Sequence, residues 1–288
     1  MLSAIINSLG GQPVAAACRR GETGRSCAWR LLFGLLLTVY CRTGAGLFAA
    51  ETNQNPAPLT RSDFAARAKK SYLEAAKRFQ SDTNSVEAAW ESGRACFDWA
   101  AFAAKDSDRA AVAGEGIAAC RDAIARDPKS APAHYYLGMN LGELAQTKGL
   151  GGLRIVKEIV REFQTVKDLD EPLDYAGPDR NLGLLYRDAP AVFSVGSRTK
   201  ALEHLRRAVD LAPQYPENRL NLIETLLKWN ERTDAGSELA AAEKMWAEAR
   251  AKFSGDMWAA DWMDWEARLK KIKTRMEQKP VQSPRHLD

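Results

Sequence analysis

The residues able to do chemistry in this 288-residue chain are few. Histidine occurs at positions 134, 204 and 286. His134 sits at a packing position of one helical pattern, and His204 lies beside Leu205 in another. Neither has a metal-ligand partner near it in sequence, so structural roles are expected. GLGG at 149–152 lacks the lysine and the preceding strand of a phosphate loop and reads as a helix-connecting turn. No carboxylate pair and no Ser–His–Asp order stands out, although triads built from distant residues are not visible at this level. No catalytic, metal or cofactor residue is therefore assigned, and no cofactor is expected. Beyond the first fifty residues the cysteines are Cys96 and Cys120. Both fall at inward positions of two antiparallel helices. In an oxidising compartment they could pair, closing a loop worth about 3 kcal/mol in the chain-entropy picture; otherwise they are two small buried thiols.

Helices must position whatever function there is, because no strand-like alternation persists anywhere. The clearest unit is residues 177–213. It carries Leu182, Gly183 and Tyr186 in a first helix, then Ala201, Leu205 and Ala208 in a second, and ends at Pro213. A small residue where two helices touch, flanked by large apolar residues and closed by proline, describes a helical hairpin. The pattern resembles the tetratricopeptide repeat (TPR), with helix A and helix B in each unit. It recurs: the small helix-A position falls at Gly93, Gly138, Gly183 and Ile223, and the closing position at 128, 171, 213 and 254. These intervals exceed the roughly 34 residues of that repeat, and the excess is expected in loops between helices A and B. A HEAT or armadillo array also fits a period of about 40–47; recurrent Gly and Ala at the close approaches favour the TPR reading.

The expected fold is all-α, a TPR-like α-solenoid of antiparallel helix pairs with long A–B loops and a C-terminal capping helix. A half repeat spans 62–80, with repeats at about 85–128, 132–171, 177–213 and 216–254. The cap spans 256–278, where Trp258, Trp262 and Trp265 share one face to cover the last repeat. Residues 279–288 read as a tail.

Transferring the TPR register gives a candidate concave groove. It would be lined by Trp90, Arg94 and Phe97 in repeat one, and Tyr135 and Met139 in repeat two. Repeat three would add Arg180, Asn181, Leu184 and Arg187, and repeat four Leu220, Asn221, Glu224 and Lys228. Asn181 and Asn221 occupy the same position in successive repeats, where an amide offers a donor and an acceptor to an extended peptide. The carboxylate clamp of some TPR proteins is not matched, since Arg94, Met139 and Leu184 stand there. The expected partner is a protein or peptide, in the groove or on the A–B loop edge that includes Val192 and Phe193. The stretches YYLGMNLGELA (135–145), KGLGG (148–152) and GPDRNLGLLYRDAP (177–190) are also similar to the periplasmic TPR component of TRAP-type solute transporters. That resemblance implies an accessory, partner- or ligand-binding component, and carries no site residues with it.

The first fifty residues read differently. Arg19, Arg20, Arg25 and Arg30 precede the apolar run LLFGLLLTVYC (31–41) and a small-residue stretch ending at Ala50, the order of a secretory signal. The run is short of the roughly twenty residues a membrane span needs. A secreted or periplasmic protein is expected, with membrane attachment only if the leader stays uncleaved; 51–61 is a linker. Lys and Arg number 41 against 37 Asp and Glu; five Arg and one Glu lie in the leader, so the rest is balanced at 36 each. A balanced chain offers no electrostatic case for nucleic acid. Oligomeric state is not legible in the sequence.

Overall fold

The computed structural model describes residues 59–191 and 194–278. The leader, most of the linker, the tail and the loop residues Val192 and Phe193 lie outside the described residues. Ten α-helices and two short 3-10 turns, with no strand among the described residues, make up the fold. In chain order they are α1 (Arg61–Ser81), α2 (Val86–Ala100), α3 (Asp106–Arg126), α4 (Ala131–Thr147), α5 (Leu153–Asp170), α6 (Leu173–Asp188), α7 (Arg198–Leu211), α8 (Pro216–Lys228), α9 (Arg232–Lys252) and α10 (Ala259–Glu277). None of the helices is long and apolar enough to cross a membrane.

Local sequence sets the helix ends. Thr60 and Asp63 form a reciprocal capping box before α1, while Ser85 and Ser197 cap α2 and α7 by accepting from backbone amides. Pro132 and Pro216 sit in the first turns of α4 and α8, where a missing N–H costs nothing. Gly255, at φ +94°, breaks the chain between α9 and the 3-10 turn Asp256–Trp258.

Consecutive helices pair as α2/α3, α4/α5, α6/α7 and α8/α9, and each A helix also packs on the next A helix, so the fold is an all-α solenoid. The close approaches fall where small residues recur. The space a side chain would need at Gly93 is filled by Cys120 Sγ, at Gly138 by the Phe163 ring, and at Gly183 by Leu205. The fourth unit reverses the sizes. Ile223 is fully buried, and α9 buries only Ala235, Ala242 and Ala249.

The extra length is placed differently from the expectation. The A–B connections are 101–105, 148–152, 189–197 and 229–231, so only the third is a long loop. Much of the excess instead lengthens the B helices, with 21 residues in each of α3 and α9 and 18 in α5. A lengthened helix keeps its backbone hydrogen bonds internal, as an irregular loop of equal length cannot.

At the far end Trp258, Trp262 and Trp265 are buried beside Tyr215 and Phe253, with ring centroids from 4.9 to 6.3 Å apart. At the near end α1 buries no residue completely. The two ends approach each other: Arg67 on α1 lies 3.8 Å from Asp256.

Candidate functional site

The inner face of the stack is closed by its own side chains. Tyr135 donates to Asp174 Oδ2 at 2.6 Å, and Arg180 binds the same oxygen at 2.5 Å. Arg180 also donates to the carbonyls of Asp174 and Tyr175 and to Asn218 Oδ1, at 3.1 to 3.3 Å. Asn218 returns a bond to the Tyr175 carbonyl at 2.9 Å. These contacts grip an unusual backbone. Asp174, Tyr175 and Ala176 all have positive φ, between 51° and 63°, at the start of α6. Three consecutive left-handed residues other than glycine cost on the order of 1–3 kcal/mol each, and persist only where surrounding contacts determine them. Arg180, Asn218 and the stacked Tyr175–Tyr215 pair, 4.5 Å apart, do so here.

Towards the C-terminal cap the network turns acidic. Arg268 on α10 holds Glu224 at 2.8 and 2.9 Å and Asn221 Oδ1 at 2.5 Å. Asp261 is 1% exposed, and neither carboxylate oxygen has a hydrogen-bond partner; only its own backbone amide lies alongside. Burial, aided by the charges of Glu217 and Asp174, pushes its carboxyl up to about 9. Burial likewise raises Glu217 against the opposing pull of Arg180 and Arg268.

A separate cleft of about 220 Å³ lies between α1, α2 and the cap. Phe64, Phe102, Met257 and Ala260 supply apolar wall, and Arg67, Arg94 and Asp98 supply charge. Asp98 Oδ2 lies 3.8 Å from Arg94 Nε, whereas its buried Oδ1 accepts no hydrogen bond. Burial raises the Asp98 carboxyl to about 6, with Arg94 opposing and Asp174 adding to the rise.

The expected open groove is corrected by this arrangement. Phe97, Tyr135, Arg180, Asn181, Leu184, Leu220 and Asn221 are all buried, because neighbouring A helices pack directly on one another. The two asparagines spend their amides internally: Asn181 donates to the Tyr135 hydroxyl at 3.1 Å, and Asn221 accepts from Arg268. Trp90 stacks on Tyr136 at 6.1 Å, Met139 accepts from Asn181, and Arg187 bonds Asp188 and Thr225. Lys228 is exposed but ion-paired to Asp188. Of the expected groove residues, Arg94 lines the cleft.

The two cysteines of the first helix pair are not bonded to each other in this structure. Cys96 and Cys120 are buried free thiols. Burial lifts the Cys96 thiol to about 12 and raises Cys120 further, so both are protonated in the folded protein. Both helix histidines are hydrogen-bonded to carboxylates: His134 Nδ1 to Glu162 at 2.6 Å, and His204 Nδ1 to Asp179, which also holds Lys167, at 2.7 Å. The described His, Cys, Asp and Glu side chains form no group close enough to hold a metal ion.

Sequence reasoning missed Asp98, Asp174, Glu217 and Asp261. Two carried a signal. Asp261 lies three residues after Trp258 and four before Trp265, a carboxylate on the buried face. Asp98 lies four residues after Arg94, on the same side of α2.

Residues 60–161 match the family described as regulator of microtubule dynamics protein 1-3, a similarity that covers α1 to α4 and the first half of α5. Among curated proteins no sequence matches the chain significantly. The matched segment supplies the α1–α2 wall of the cleft; the cap wall lies outside it.

Proposed function

We propose that this chain is a non-catalytic binding module of the TPR type, and that its partner engages the cleft between α1 and the C-terminal cap. One observation carries the reading. The inner face, where a TPR array would take a peptide, is filled by its own side chains, whereas the cleft between α1, α2 and the cap bears an unsatisfied Asp98 oxygen beside apolar walls. A concave site with apolar lining and a few convergent polar groups is the usual form of a binding pocket. The partial similarity to a family named for regulating microtubule dynamics accords with a binding role. The alternative, an accessory component of a TRAP-type transport system in the secreted or periplasmic space, would use the same cleft.

A photo-crosslinker at Met257, compared with one at Lys200 on the outer helix α7, tests the proposal in the native cell. The expected result is a partner crosslinked from position 257 and not from 200, and lost when Phe102→Asp disrupts the wall. Equal crosslinking from both positions, or a partner indifferent to Phe102→Asp, would refute it. The identity of the crosslinked protein separates the transport reading from others.

A further inference from the structure

Resting on that reading of the α1–cap end as a binding surface, we infer that Leu47 and Phe48 of the unprocessed chain fold back into a second cleft there. They cover it until the leader is removed. This cleft, of about 400 Å³, adjoins the one already described and shares Phe64 with it. Leu59, Phe64, Phe253, Ala259, Trp262 and Met263 form most of its wall. Four large apolar side chains are exposed among the described residues, and two of them, Met257 and Met263, line these two clefts. Apolar surface gathered in one place marks a docking site.

Charge argues for an apolar occupant. Arg250 and Glu266, the charged groups of the wall, pair at 3.0 Å, and the Arg250 guanidinium lies over the Trp262 ring at 4.5 Å. The wall carries no excess charge of either sign; what it lacks is cover from water.

The chain itself can supply that cover. Leu59 stands just before the cap of α1 and Phe64 at its fourth helical residue, the two positions of a hydrophobic staple, and both are in the wall. Thr60 and Asp63 lock this start, with the Thr60 amide donating to Asp63 Oδ2 at 2.8 Å. The chain arriving at Leu59 therefore comes in along the cleft. Between Arg42 and Pro58, Leu47 and Phe48 are the large apolar residues. Asn55–Pro56, a turn-forming pair, separates them from Leu59. From Asn55 the chain reaches at most about 14 Å forward to Leu59 and about 25 Å back to Phe48, so a reversal there lays Phe48 over the cleft with slack. The apolar run 31–41 fits less well, since as a helix it is about 16 Å long, too long for a cleft of this volume to enclose. A cut after Ala50 removes Leu47 and Phe48 together and opens this end of the solenoid to a partner.

A photo-crosslinker at Met263 tests this in the full chain, translated in vitro without membranes so that the leader stays on. Mass spectrometry should map the main product to an intramolecular link with residues 46–50. The double substitution Leu47→Asp and Phe48→Asp should lower its yield about tenfold or more, because a charged side chain does not enter an apolar cleft. Leu47→Ile with Phe48→Leu should keep the yield. A main link to residues 31–41 or to a second copy, no link to residues 46–50, or a yield indifferent to the Asp substitutions would overturn the inference. The native-cell crosslink from Met257 reads the partner independently. A partner captured there beside a failure here leaves the binding-module proposal standing, and the reverse strikes that proposal alone.

Discussion

Asp261→Asn should change how the protein's stability depends on pH, and the size of the change follows from the fold. An Asp carboxyl in an unfolded chain titrates near 3.9. In the folded protein burial, Glu217 and Asp174 move it up to about 9. Between those values the folded state holds one proton more than the unfolded state, so stability falls as pH rises. A difference of one proton is a factor of about ten in the folding constant per pH unit, or roughly 3 kcal/mol between pH 5 and 7. Asparagine keeps the shape and removes the proton. Its amide inherits the missing hydrogen bonds, at a cost of about 1–3 kcal/mol that does not vary with pH. The test is therefore the slope and not the offset. Asp98 and Glu143, raised by burial to about 6 and about 7, add slopes of their own that are common to both proteins. Urea unfolding followed by far-UV circular dichroism at pH 5, 6 and 7 should show the variant gaining on the wild type by about tenfold per unit. In thermal melts the relative gain over that range should be on the order of 6–12 °C. Parallel slopes would mean that Asp261 is already ionised in the folded state, and the electrostatic reading of the interior would fail.

Other consequences are as direct. Arg180→Ala leaves Asp174 buried without its charge partner and frees the left-handed turn; a loss of about 3–5 kcal/mol is expected in urea unfolding. Gly183→Ala places a methyl against Leu205 and should cost about 1–3 kcal/mol, with part recovered in the double variant carrying Leu205→Ala. His134 is raised by its hydrogen bond to Glu162, so the pair contributes stability below about pH 6.5 that is lost as pH rises through the folded value; His134→Gln should flatten that part of the profile. Cys96 and Cys120 should react with iodoacetamide only after denaturation, and mass spectrometry should then count two free thiols.

Local chemistry made much of the fold readable. Helix and repeat boundaries follow from caps, prolines and 3.6-residue periodicity, which act within a few residues along the chain. The glycines at 93, 138 and 183 marked the close approaches for the same reason: a position without a side chain is visible in the sequence, and what fills it lies one helix away. The tryptophan face of the cap was legible as a stripe.

The site was not legible, because it depends on which charges meet across helices distant in sequence. Asn181 and Asn221 share a repeat position, yet one meets Tyr135 and the other Arg268. The groove register named residues of the A helices but could not show that neighbouring A helices pack on one another and bury most of them. Cys96 and Cys120 stand on paired helices, and only the fold shows that both are buried. Sequence alone determined the helices and their repeat, since those are set by local propensity and patterning. Tertiary structure decided where buried charge goes unneutralised, since desolvation and Coulomb energy depend on burial and on distances between helices that no local pattern encodes.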